Sequence, residues 1–243
     1  MKQHKLLLSL FILLLIFAAC RREWLATEED MTNYGWTLFK EGDYDASREW
    51  FTDAIQENEN YKDGYNGFGW TEGKRTNDFE DIGEWKDIMD DAIIHFKKGL
   101  KKHPNPRTLH NVDHDIMAGL TFAYGAKYDV SGNTQIFFED STIFYGDSLI
   151  AIIKKKIYDK TWYFPHDTTT DYLDVHVTLA LAHFLKSEFK KSLEDHVWDI
   201  EDKCEEDRIN LVFDNDTLTV LGKENLYNEI KRLQKILVYG SCK

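Results

Sequence analysis

Asn33-Tyr34-Gly35-Trp36-Thr37 and Gly67-Phe68-Gly69-Trp70-Thr71 are two near-identical pentapeptides offset by 34 residues. A repeat period between about 20 and 50 residues means stacked supersecondary units, each burying its apolar face on the next. Around the first copy, Tyr34, Gly35 and Leu38 belong to one helix, Gly42-Asp43-Tyr44 make a turn, and Ser47, Phe51, Ala54 and Ile55 belong to a second helix. Phe51, Ala54 and Ile55 stand at i, i+3 and i+4, which puts them on one helix face. Gly42 suits the left-handed conformation that ends a helix. This first unit runs from about Asp30 to Glu59.

The second unit starts with Tyr65, Phe68 and Gly69, is delayed by an 11-residue insertion over 76–86, and returns with Ala92, Phe96, Gly99 and Pro104. A third has Met117, Leu120 and Tyr124 on its first helix and Leu149, Ile152, Ile153 and Ile157 on its second. Between them, Gln135 to Phe138 and Thr142 to Tyr145 read either as a small hairpin or as a helical extension. The fourth starts near Asp171 or Asp174, carries Leu179, Ala180, His183, Phe189 and Ser192, and ends near Cys204. Residues 210–220 alternate apolar and polar, as in a short hairpin. Leu226, Ile230, Leu233 and Ile236 then mark a closing helix that covers the last open face, as a solenoid requires.

The pattern Tyr34, Gly35, Leu38, Ser47, Phe51, Ala54 resembles the tetratricopeptide repeat, with Met31 and Glu59 replacing its first aromatic and its terminal proline. The fold class expected is therefore all-α: a right-handed α-solenoid of about four such helix-turn-helix repeats over residues 30–243, ending in a capping helix. Asp115 to Ser192, with Trp162, Phe164-Pro165-His166-Asp167 and Asp174-Val175-His176, is similar to bacterial envelope lipoproteins carrying these repeats.

The first 19 residues read as a signal peptide: Lys2 and Lys5, an apolar run from Leu6 to Phe17, then Ala18-Ala19. Phe17-Ala18-Ala19-Cys20 resembles a bacterial lipobox with Phe17 in place of the usual leucine. The resemblance implies that Cys20 is lipidated and becomes the mature N-terminus, followed by a tether over 20–29. Several acyl chains give stable anchoring where one is marginal. Arg21 is not the aspartate that resembles an inner-membrane retention signal, so the expected location is the outer membrane of the envelope. Cys204 and Cys242 are free to pair or not in an oxidising compartment.

Removing Lys2 and Lys5 leaves 43 acidic against 28 basic residues, a net charge of −15. Such a surface excludes a nucleic-acid partner, which needs a basic stripe. Partners are expected among other envelope proteins or peptide segments, with the membrane reached through the lipid, and no cofactor is expected. The resemblance implies a concave groove lined by the first helices, with Trp36, Phe39, Lys40, Asn66, Trp70, Lys74 and Tyr124 as ligand-binding residues and Asp63, Asp115 and Asp174 at the rim. A peptide or helix would lie along it. One alternative is a glycan on the Trp faces. Another is a metal-dependent hydrolase built on His110 and His114, which stand at i, i+4. His176 and His183, seven apart on one helix face, read as interface residues. There is no phosphate loop, nucleophile elbow or Ser/His/Asp set, so no residue is assigned a catalytic or metal-binding role and the protein is read as a non-enzymatic binding or scaffolding module.

Overall fold

The structure is a computed structural model that describes residues 26–78, 81–103, 111–130, 137–155, 161–211, 218–239 and 242. The signal peptide, Cys20 and most of the tether, Pro104, His110, Gln135, Ile157 and the centre of the expected 210–220 hairpin lie outside them. Among the described residues the chain is all-helical, with one isolated bridge between Tyr163 and Asp171. The helices are α1 (Glu28–Glu41), α2 (Tyr44–Glu57), α3 (Lys62–Arg75), α4 (Ile82–Leu100), α5 (Val112–Val130), α6 (Phe137–Lys155) and α7 (Tyr172–Leu185). They continue with α8 (Phe189–Lys191), a π-helical stretch Ser192–Val197, α9 (Trp198–Lys203) and α10 (Val220–Val238).

Local sequence sets the ends. Thr27 and Asp30 form a capping box at the start of α1. Gly42, at φ 83°, returns its N–H to the Phe39 carbonyl, and Asp43 then caps α2. Each cap satisfies backbone groups the helix cannot. Asp171 caps α7 in a box with Asp174, so both candidate starting residues take part. The 11-residue insertion over 76–86 is partly helical: a 3-10 turn covers Thr76–Asp78, and α4 already begins at Ile82. Residues 138–145 belong to α6, which decides between hairpin and helical extension.

The twin pentapeptides are explained by close packing. A Cβ on Gly35 would come within 2.9 Å of the Phe51 ring, and one on Gly67 within 2.1 Å of it. Gly69 and Gly119 stand in the same way at 2.6 and 2.4 Å from Phe96. So each of these two phenylalanines of a second helix wedges between the glycines of two first helices. Phe51 lies 16 residues after Gly35 and Phe96 lies 27 after Gly69; the difference of 11 is the delay read from the sequence. A second contact recurs too: Ser47 Oγ donates to the Gly35 carbonyl and Ser192 Oγ to the Ala180 carbonyl, both 12 residues back.

From α1 to α7 each helix packs on the next, and α1, α3, α5 and α7 also touch in sequence. One core cluster fills the first three hairpins around Phe51, Phe96, Leu120 and Phe164. A second joins α7, the π stretch and α9 to α10. On α10, Leu226, Ile230 and Leu233 are buried as expected, with Leu237 beside Ile236 completing the face. Cys204 and Cys242 form a disulfide that staples the two ends of this closing unit.

Candidate functional site

The face made by α1, α3 and α5 is covered by the chain itself. Residues 161–171 return across it as a tight loop, held by Phe164 N–H on the Thr170 carbonyl and Tyr172 N–H on the Trp162 carbonyl, each 2.9 Å. Phe164 is wholly buried and stacks on Trp70, centroids 4.0 Å apart and planes 19° apart. It also meets Trp36 and Phe39 edge-on. His166 stacks on Trp36 at 3.7 Å with planes 4° apart. Trp36 and Trp70 are only 3% and 7% exposed, so both lie in the core and not on an open groove floor. The reason is physical: the two tryptophan faces form an apolar strip, and packing Phe164 and His166 on it takes that surface out of water.

The polar groups assigned to the rim serve this closure. Trp36 Nε1 donates to Asp63 at 3.2 Å and Trp162 Nε1 to Asp115 at 2.9 Å. Lys74 Nζ donates to Asp167 at 2.8 Å. Burial pushes the Asp167 carboxyl up, but Lys74 and Thr169 outweigh it and hold it below its ordinary range. Phe39 is buried beside Phe164 and Tyr44, and Lys40 is exposed. Tyr124 sits apart from the loop, stacked on Tyr145 with the Lys97 ammonium over its ring. Asn66 is buried; its Nδ2 donates to Asp63, while its Oδ1 has no hydrogen-bond partner.

Beside the loop remains a cavity of about 670 Å³, lined by Trp70, Lys74, Trp85, Met89, Phe122 and Asp174 among others, with Val238 of α10 at one side. It is mainly apolar with few polar groups, the usual character of a ligand pocket. The buried indole Nε1 of Trp70 has no hydrogen-bond acceptor.

A second constellation lies between α6, α7 and the π stretch. His183 Nε2 stands 3.6 Å and His196 Nε2 3.9 Å from Asp147 Oδ1, and the three ligand atoms fall within 4.8 Å of one another. His183 Nδ1 is 2.6 Å from Glu188 Oε2, and His176 Nδ1 is 3.1 Å from His196 Nδ1. Lys191 Nζ reaches both Asp147 and, at 3.1 Å, His183 Nε2. Burial, reinforced by His176 and His183, keeps His196 well below the ordinary imidazole range; burial likewise lowers His176 to about 4. For Asp147 burial acts upward, but His183 and Lys191 win and hold it at about 2. At neutral pH His176 and His196 are thus neutral imidazoles, with the Asp147 carboxylate ionised beside them. The sequence singled out His176 and His183 but not Asp147 or His196, which come from other elements; the π stretch, a feature frequent at functional sites, places His196.

His114 is buried, with Asn111 Nδ2 3.2 Å from its Nε2. Among the described residues no helix is long and apolar enough to cross a membrane. Compared with protein-family models, with curated proteins and with solved structures, the chain matches none.

Proposed function

We propose that this protein is a lipid-tethered bacterial envelope protein, a non-enzymatic binding module that takes a peptide segment of another envelope protein in the cavity beside the 161–171 loop. The observation carrying the reading is that cavity itself: about 670 Å³ of mainly apolar space, with the Trp70 indole N–H buried and without an acceptor. A buried donor left unpaired costs about 1–3 kcal/mol. Apolar side chains of a peptide would fill the space between Met89, Phe122 and Trp85, and that filling, not the enclosed Trp70 N–H, would supply the affinity. Lys74 and Asp174 give the lining one cation and one anion.

The tetratricopeptide-like solenoid belongs to the same proposal. It is supported by the 34-residue offset, by Phe51 and Phe96 in equivalent glycine clefts, and by the recurring serine-to-carbonyl bond of the first and fourth hairpins. The Cys204–Cys242 disulfide supports an oxidising compartment. A glycan platform on Trp36 and Trp70 has less support, since His166 and Phe164 cover those faces.

The test is capture of envelope proteins by the full lipidated chain, compared with Ala126→Phe, which fills the cavity, and Trp70→Phe, which shrinks one ring of its wall. The expected result is one discrete partner, lost with Ala126→Phe and weakened with Trp70→Phe, while circular dichroism stays unchanged. A partner retained equally by both folded variants refutes the cavity as the site.

A further inference from the structure

We propose that Asp147, His183 and His196 bind a zinc-class divalent ion, and that the ion competes with the Lys191 ammonium for the same carboxylate and the same His183 nitrogen. Zinc takes histidine nitrogen and carboxylate oxygen at about 2.0–2.2 Å, so two ligands of a tetrahedral site stand about 3.4 Å apart. The two histidine–carboxylate pairs here are 3.6 and 3.9 Å, and all three ligand atoms lie within 4.8 Å of one another, so side-chain shifts of about 1 Å or less per ligand close the site.

The hydrogen-bond pattern leaves the required lone pairs facing inward. His183 Nδ1 donates to Glu188, and the Lys191 ammonium, which can only donate, meets Nε2, so with that pairing Nε2 presents its lone pair. That carboxylate–histidine arrangement is the one that orients metal-ligating imidazoles. His196 is 2% exposed, and its Nε2 stands without a hydrogen-bond partner on the Asp147 side of the ring. With His196 donating from Nδ1 to His176 Nδ1, that Nε2 also presents a lone pair. An unpaired buried nitrogen is costly, and a cation is the partner its lone pair lacks. The pairing of Lys191 with Asp147 shows that the centre already stabilises positive charge. Lys191 is 39% exposed, so its head can swing to solvent and leave the three ligands to the ion. A bound ion would tie α6, α7 and the π stretch together, with the fourth ligand supplied by water from the Lys191 side.

The test uses the folded, disulfide-intact protein freed of metal with chelator, titrated with zinc by calorimetry and with cobalt by visible absorption. The expected result is one equivalent of zinc and a tetrahedral cobalt spectrum. Asp147→Asn and His196→Gln should each weaken binding at least tenfold, and Lys191→Met, which removes the competing cation, should tighten it about tenfold. Lys191→Met keeps the test decisive should a ligand variant fail to fold. Absence of zinc binding in both the native chain and Lys191→Met overturns the proposal. So does zinc binding that Asp147→Asn and His196→Gln, folded by circular dichroism, leave unchanged.

Discussion

Replacing Phe164 by alanine removes the ring around which the covered face is built. Phe164 is completely buried and touches Trp36, Phe39, Trp70, Trp162 and His166. Phe→Ala at a fully buried site costs about 3–5 kcal/mol, the transfer of the ring plus the cavity left behind. The stacked pair with Trp70 alone adds about 0.5–1.5 kcal/mol beyond area burial. A cost of about 4 kcal/mol follows, since the rigid Trp36 and Trp70 cannot collapse into the gap. With a urea slope of about 2 kcal/mol per molar, the unfolding midpoint should fall by about 2 M. Tyr163→Ala is the control: it lies next in the chain but is 59% exposed, and should cost under about 0.5 kcal/mol. Urea unfolding followed by circular dichroism and by tryptophan fluorescence measures both. A Phe164→Ala cost below about 1 kcal/mol, or one equal to that of Tyr163→Ala, would mean that the loop does not belong to the core.

Three further outcomes follow. Glu201 is buried; burial and the Glu229 carboxylate push it from 4.5 up to about 7, against the pull of the Ile209 N–H. The folded state therefore holds its proton more tightly than the unfolded chain. Stability is full below pH 4.5 and falls as pH rises through 7, by about 3 kcal/mol at about 1.4 kcal/mol per pKa unit. Glu201→Gln should remove that slope in urea melts between pH 5 and 8, and an unchanged slope would exclude Glu201 as its source. Cys242→Ser opens a loop of 38 residues' separation and should cost about 4 kcal/mol; alkylation of both thiols in the native oxidised protein would contradict the pairing. Gly67→Ala drives a methyl into the Phe51 ring and should destabilise by about 1–3 kcal/mol. Gly73→Ala meets nothing within 4 Å and should stabilise by up to about 1 kcal/mol through helix propensity. Thermal melts showing the two alike would refute the packing argument.

Much of the helical plan was legible in local signals. Gly42-Asp43 announced the first turn, the Asp171–Asp174 pair the start of α7, and the Leu226–Ile230–Leu233 spacing the closing helix. These are patterns whose cause lies within a few residues. The covering of Trp36 and Trp70 was not legible, because spacing along one helix shows that two rings share a face but not what lies on it. The covering residue, Phe164, is 94 residues beyond Trp70 in the chain. The same limit hid the histidine centre: His176 and His183 share a helix face, whereas Asp147 comes from α6 and His196 from a π turn, which shifts its register away from the 3.6-residue period. Residues 138–145 were ambiguous because aromatic and β-branched runs suit strands, and only packing of α6 against α5 and α7 made them helical.

The measurement that bears most directly on the account is site-specific photocrosslinking of the lipidated protein in its own envelope. One crosslinker replaces Asn77, which lines the cavity and is exposed; the other replaces Asn33, exposed on α1 and not part of the cavity lining. A discrete protein adduct is expected from position 77, none from position 33, and loss of the adduct when Ala126→Phe is added. Equal labelling from both positions, or an adduct that survives the filled cavity, would contradict that expectation.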